Sequence, residues 1–174
     1  MPAGRTYTPI GTTTLSTAST TVTFSSIPQT YTDLVLVGNF ATNVAGAQTI
    51  YYYNGVTTGT PYSTTEIYGT GSNPVTSYRF TSQNQIWFTS GVGSGATLGQ
   101  TNATIHIMNY ANTTTNKTSL HRQNSLSGTY PGTVAGVGLW RSTSAITSVT
   151  IKGDTGSTTF SPGSTFTLYG IAAA

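Results

Sequence analysis

Residues 101–110 read TNATIHIMNY. In an extended chain Ala103, Ile105 and Ile107 fall on one side, and Thr104, His106 and Met108 on the other. Strict alternation with period two marks a half-buried strand and argues against a helix. Working outward, the same signal recurs in short runs along the chain. TTVTF places Val22 and Phe24 on one face, followed by Ile27 and a break at Pro28. DLVLVGNF is apolar without interruption from Leu34 to Val37, the pattern of a central strand buried on both faces. TIYYYNGVTT carries Asn54-Gly55, the type I′ hairpin dipeptide, because both positions need positive φ. TTEIYGTG, YRF, QIWF, KTSLHRQNSL, TVAGVGLW, AITSVTIKG and STFTLYGI complete the set.

No stretch of a dozen residues carries helical periodicity free of Gly, Pro and β-branched runs. The expectation is therefore an all-β chain of about ten strands, an antiparallel β-sandwich of jelly-roll type. An up-and-down barrel fits less well, because strand and loop lengths vary. The end of the chain, GSTFTLYGIAAA, alternates Phe166, Leu168 and Gly170 against Thr167, Tyr169 and Ile171. It reads as a closing strand or a contact for another chain. With AITSVTIKG and the turn-rich GDTGSTTFSPG before it, it also reads as the last hairpin. The expected division is an N-terminal arm or loose end over residues 1–12, one domain over 13–171 and a tail over 172–174.

Composition supports this and narrows the function. Charged residues are 5% of the chain, against roughly 25% in ordinary soluble domains. Threonine, about a fifth of the residues, suits a pleated surface, while Gly, Ser and Asn suit turns. Apolar residues spread in short alternating runs argue against disorder. The net charge of +3 rests on six cations and three acids. Lys117 and Arg122 alone among the cations lie close in sequence, so no basic stripe for nucleic acid is expected. With no cysteine, there is neither a disulfide framework nor a thiolate metal site. No apolar segment has the length of a signal peptide or a membrane span. Synthesis in a cytoplasm, no membrane partner and, if the protein leaves, release by lysis are expected. A surface so poor in charge does not repel neighbouring copies and suits packing against others. Lys117 and Lys152 are the two lysines available to protect strand edges.

The acids and bases that catalysis would need are Asp33, Glu66, Asp154, His106 and His121. Asp33 precedes a buried strand, Asp154 lies in a turn, and Glu66 alternates within a strand as an exposed or paired carboxylate. No spacing suggests paired carboxylates, a nucleophile elbow or a metal-ligand pair. No enzyme activity, metal or cofactor is expected. The sequons at Asn102, Asn112 and Asn116 match what a chain so rich in Ser and Thr yields by chance. Tyr51, Tyr52, Tyr53 and Tyr62, with Tyr68, Tyr78, Trp87 and Trp140, have two readings. Core packing and subunit contact is the preferred one; a sugar-stacking platform is the other.

Several stretches together resemble a family of virion structural proteins of tailed bacteriophages, including those of cyanobacteria. They are TTTLSTASTTVTFSSIPQTYTDLVLVG, YYYNGVTTG with YSTTEIYGTGS, IHIMNYANTTTNKT, GLWRSTSAITSVTI and GSTFTLYGI. They run in order over nearly the whole chain. The resemblance implies a β-sandwich with no cofactor and no catalytic residues. The chain shows no coiled coil or collagen-like shaft ahead of the β-domain, which favours a subunit that decorates and cements the capsid exterior. The implied partners are the major capsid protein and further copies, a trimer favoured. The alternative is a tail-associated module that recognises host surface glycan.

Overall fold

The computed structural model describes residues 6–71, 74–88, 97, 101–127 and 130–172. Twelve strands and no helix lie among them: β1 (Tyr7–Thr14), β2 (Thr21–Phe24), β3 (Asp33–Phe40), β4 (Thr49–Tyr53), β5 (Tyr62–Gly69), β6 (Thr76–Gln83), β7 (Ile86–Trp87), β8 (Thr101–Met108), β9 (Lys117–Ser127), β10 (Tyr130–Trp140), β11 (Val149–Gly153) and β12 (Thr165–Ile171). All pairings are antiparallel. Eight strands form one sheet in the order β1-β12-β3-β8-β9-β10-β5-β6, and four form a second in the order β2-β11-β4-β7. The arrangement is a β-sandwich that does not close into a barrel.

The alternation at residues 101–110 becomes β8 as expected, with Ala103, Ile105 and Ile107 buried and Thr104, His106 and Met108 turned toward the surface. The apolar run of β3 is buried at Leu34, Val35 and Leu36, but Val37 is 41% exposed. The outer face of this central strand is thus open at its middle, because the second sheet covers the large sheet on one side only. Residues 7–12 fall within β1, the edge strand next to β12, and so belong to the sheet. Residues 1–5 of the expected arm and 173–174 of the expected tail lie outside the described residues.

Two expected hairpins are different connections. Asn54 and Gly55 do adopt positive φ, 52° and 69°, but the strands they join lie in different sheets. The turn closes on its own Val56 N–H to Tyr53 carbonyl bond (2.9 Å) and is also held from outside. Asn54 Oδ1 accepts the backbone N–H groups of Thr147 (2.8 Å) and Ser148 (3.1 Å), and its Nδ2 donates to the Ala145 carbonyl (2.8 Å). The final segment likewise crosses from the small sheet at β11 to the large sheet at β12. Phe160 pins the crossing by exchanging backbone hydrogen bonds with Ser19 (2.7 and 3.2 Å). The last strand is therefore paired on both sides, with β1 and β3. That is the tie its alternation called for.

Phe160, Phe40 and Phe166 form a fully buried triad with ring centroids 5.0–5.3 Å apart. At the other end Tyr62 stacks on Trp140, 6.1 Å between centroids, and both meet Tyr53. Between these clusters, β9 lays a polar row along the inner face beside the buried Ile105 and Ile107 of β8. Lys117, Ser119, His121, Gln123 and Ser125 all point inward from β9 and are buried. Opposite them β10 contributes Gly136 and Gly138. A side chain at Gly138 would come within 2.8 Å of Ile86 Cγ2, Ser119 Oγ and the Tyr51 hydroxyl at once. Gly138→Ala is therefore expected to cost about 2 kcal/mol by overpacking. Gly156→Ala, with nothing within 4 Å of the added carbon, should stay within about 0.5 kcal/mol. Urea denaturation of the two variants checks the contrast, and equal midpoints would count against the described packing.

Candidate functional site: two uncovered surfaces of the large sheet

The interior holds two of the five acids and bases named from the sequence, Glu66 and His121. The Tyr51 hydroxyl lies 2.8 Å from Ser119 Oγ and 3.2 Å from His121 Nδ1. Burial raises the Tyr51 pKa and pulls that of His121 down to about 4, so both are neutral at pH 7. Glu66, one of three acids, is also buried. It sits across Gly136 from His121 in one inner-face row, which sets aside the exposed reading of this carboxylate. The Tyr62 hydroxyl accepts the Tyr53 N–H (3.1 Å) and faces the Val56 carbonyl (3.1 Å), bracing the 54–55 turn. Burial pushes its pKa up to about 12.

The remaining ionisable groups hold local structure. Asp33 accepts the Asn109 N–H (2.7 Å) and pairs with His106 Nε2 (3.0 Å). Asp154 accepts the N–H of Thr155 (2.8 Å) within its own turn. Lys117 donates to the carbonyls of Thr115 (2.8 Å) and Thr143 (3.2 Å), and burial lowers its pKa. Lys117 faces inward and Arg122 outward, so their nearness in sequence makes no basic patch. Neither lysine guards an edge: β9 and β11 are both paired on two sides. The Asn112 carboxamide accepts the N–H groups of Thr114 and Thr115, which gives it a turn role. No group of three or more His, Cys, Asp or Glu that could hold a metal occurs among the described residues.

Of the four tyrosines singled out from the sequence, Tyr51, Tyr53 and Tyr62 are fully buried core and Tyr52 is half-buried. The rings of Tyr51, Tyr53 and Tyr62 lie between the sheets, and the alternation of β4 puts Tyr52 on the opposite face. A cleft of about 560 Å³ does open beside them, bounded by Asn54, Pro61, Trp140 and Arg141. Its cation is already engaged: the Arg141 guanidinium donates to the Tyr62 carbonyl (3.3 Å) and to Ser63 Oγ.

Two surfaces remain open. The first is the outer face of the large sheet. One row across it runs Val35, His106, Leu120, Val137, Thr65 and Arg79, and the next runs Val37, Thr104, Arg122, Ala135, Ile67 and Ser77. Val37, Ile67, Leu120 and Val137 are exposed there, and the last three line a shallow hollow of about 390 Å³. A third row is amide and hydroxyl: Thr165, Asn39, Asn102, Asn124 and Thr133. Asn39 Nδ2 donates to Asn102 Oδ1 at 2.7 Å. Such a face offers flat apolar contact and neutral hydrogen-bonding groups, with Arg79 and Arg122 as its exposed cations.

The second is a wing at the β6 edge. Among the described residues the small sheet ends at β7, which packs on β5 and β10, so the inner face of β6 extends past it. A chain of rings lies along this overhang. Tyr68 stacks on Tyr78 (5.3 Å, 13°), Tyr78 meets Phe80 (5.9 Å), and Phe80 meets Trp87 (5.6 Å). Tyr78 is 40% exposed. These rings, apart from Phe80, belong to the wider set of aromatics noted in the sequence. What separates them from the buried tyrosines is the reach of the opposing sheet, which no local pattern encodes.

No family model and no curated protein matches the chain. Among solved structures, a protein of unknown function from Shewanella oneidensis MR-1 aligns with 100% of this chain and 82% of its own, at 8% identity and a TM-score of 0.21. A likeness at that level carries no argument about fold or function.

Proposed function

We propose that the chain is a virion structural protein of the tailed-bacteriophage kind. It decorates the capsid exterior and bridges neighbouring capsomers, with the major capsid protein as its partner and no enzymatic role. The observation that carries this reading is the open outer face of the eight-stranded sheet, which is broad and apolar at its centre, with Arg79 and Arg122 among polar groups around it. Exposed apolar patches rimmed by polar groups mark interaction surfaces. A protein that binds the assembled shell in preference to free subunits stabilises it by mass action.

The strand order supports a finer reading of the fold as a jelly roll. Setting aside the hairpins β5-β6 and β9-β10 leaves two four-stranded sheets, β1-β12-β3-β8 and β2-β11-β4-β7. Eight strands divided in this way between two sheets are the jelly-roll arrangement, which viral capsid and lectin domains share. This is fold-level analogy and supports the capsid reading as analogy only. On it, the two hairpins widen one sheet and so enlarge the contact face.

The wing supports a second reading, a tail-associated module that stacks host glycan on Tyr68, Tyr78, Phe80 and Trp87. Copy number in purified particles separates the two. Hundreds of copies are expected for a capsid cement, and a dozen or fewer would overturn it in favour of the tail. Heads stripped of the protein should also fail at lower temperature and recover on adding it back. The double variant Leu120→Glu, Val137→Glu, changed only on the exposed face, should not restore them.

A further inference from the structure

We infer that two copies of this chain join edge to edge through β6, about a twofold axis at Tyr78, to make one continuous sixteen-stranded sheet. The argument starts from the two edges of the large sheet. The β1 edge carries Pro9, which has no N–H to offer, and its register shifts between Pro9 and Gly11. Proline and bulges are the usual devices that stop an edge from pairing. The β6 edge pairs regularly with β5 from Thr76 to Phe80, and its own bulge lies beyond that stretch, at Thr81 and Ser82, where Ser82 has a φ of 56°. It contains neither proline nor lysine.

Strand addition on β6 also covers more than backbone. Tyr78 and Phe80 project onto the overhanging inner face, and Val75, just before the strand, is 71% exposed. Among the described residues no strand or side chain closes over those rings and that edge, so a strand added at β6 meets both. The occupant is a second copy for two reasons. A chain with 5% charged residues does not repel itself. Because β1 is blocked, pairing of β6 with the β1 of another copy, which would grow an open filament, is disfavoured; β6 with β6 closes after two.

The register follows from charge and from the regular stretch. Antiparallel partners that share a face must sum to an even number, and like charges directly opposite are unfavourable. Centring on Arg79 would set two guanidinium groups against each other. Centring on Tyr78, the middle of the regular stretch, sets Thr76 across from Phe80 and Ser77 across from Arg79. Ser77 and Arg79 are both exposed and lie on the outer face, so a charge placed at Ser77 reads the register directly.

Sedimentation equilibrium of the intact chain should show a dimer. Ser77→Glu places two carboxylates opposite the two Arg79 groups and should tighten the dimer roughly five- to tenfold, while Ser77→Lys should weaken it by a similar factor. Because the chain has no cysteine, Tyr78→Cys should give a single oxidised dimer, and Thr12→Cys on the opposite edge should give none. A monomer at all accessible concentrations overturns the proposal. So does a trimer, or a dimer that Ser77→Glu and Ser77→Lys shift in the same direction. The measurement uses free protein, so it succeeds or fails independently of the capsid reading.

Discussion

Replacing Phe166 with alanine is expected to lower the unfolding free energy by about 4 kcal/mol, a large share of the roughly 5–15 kcal/mol that holds a domain together. The ring is fully buried and touches two others, Phe40 at 5.3 Å and Phe160 at 5.0 Å. It also lies against Gly38, whose missing side chain leaves the ring 3.1 Å from where a Cβ would stand. Each neighbour is itself fixed: Phe40 ends β3, and Phe160 is bonded to Ser19 through its backbone. The surroundings therefore cannot close over the space, so both the transfer term and the cavity term are lost. Equilibrium urea unfolding reads the change, and Phe166→Leu should recover more than half of it. A loss of unfolding free energy below about 1 kcal/mol would contradict the triad.

The second large effect is a loss of stability in acid that depends on one residue. Burial holds His121 at about 4 in the folded protein, against about 6.5 in the unfolded chain. Between these values the unfolded state binds the proton and the folded state does not, so stability rises with pH across the window and falls as pH drops through it. The full difference from pH 7 to pH 4 is about 3 kcal/mol. His121→Gln keeps a polar group for the Tyr51 hydroxyl and removes the titration. Its stability should therefore vary much less over the same range. An unfolding curve for the parent chain that is flat from pH 7 to 4.5 would overturn the assignment, as would an acid limb that survives in His121→Gln.

Much of the fold was legible in the residues. Short alternating runs and the absence of helical periodicity named an all-β sandwich, and β8 sits as its alternation requires. Inside and outside were harder to tell. In β9, KTSLHRQNSL places Leu120 on one face and Ser119, His121 and Gln123 on the other, and periodicity alone would turn the leucine inward. The structure turns it outward, because Gly136 and Gly138 on β10 leave room for a polar row and Tyr51 reaches across to bond it. The destination of each connection was not legible either. Asn54-Gly55 carries the dihedral signature of a tight turn, but which sheet the next strand joins depends on partners far along the chain. The candidate surfaces follow the same rule. Tyr51, Tyr52 and Tyr53 stood out as a triplet, while Tyr68, Tyr78, Phe80 and Trp87 gather only once β6 extends past the small sheet.

The pairing of β1 with β12 has a mechanical side. Tyr7 lies opposite Ile171, and the Ala172 N–H reaches the Thr6 carbonyl at 3.3 Å. The two ends of the described chain therefore leave the sheet side by side. A tension applied through those ends opens the β1–β12 ladder one rung at a time, the weakest way to load paired strands. Tension applied across the outer face instead reaches many rungs together. A molecule built this way is expected to resist load spread over its surfaces better than load applied through the two ends of the described chain.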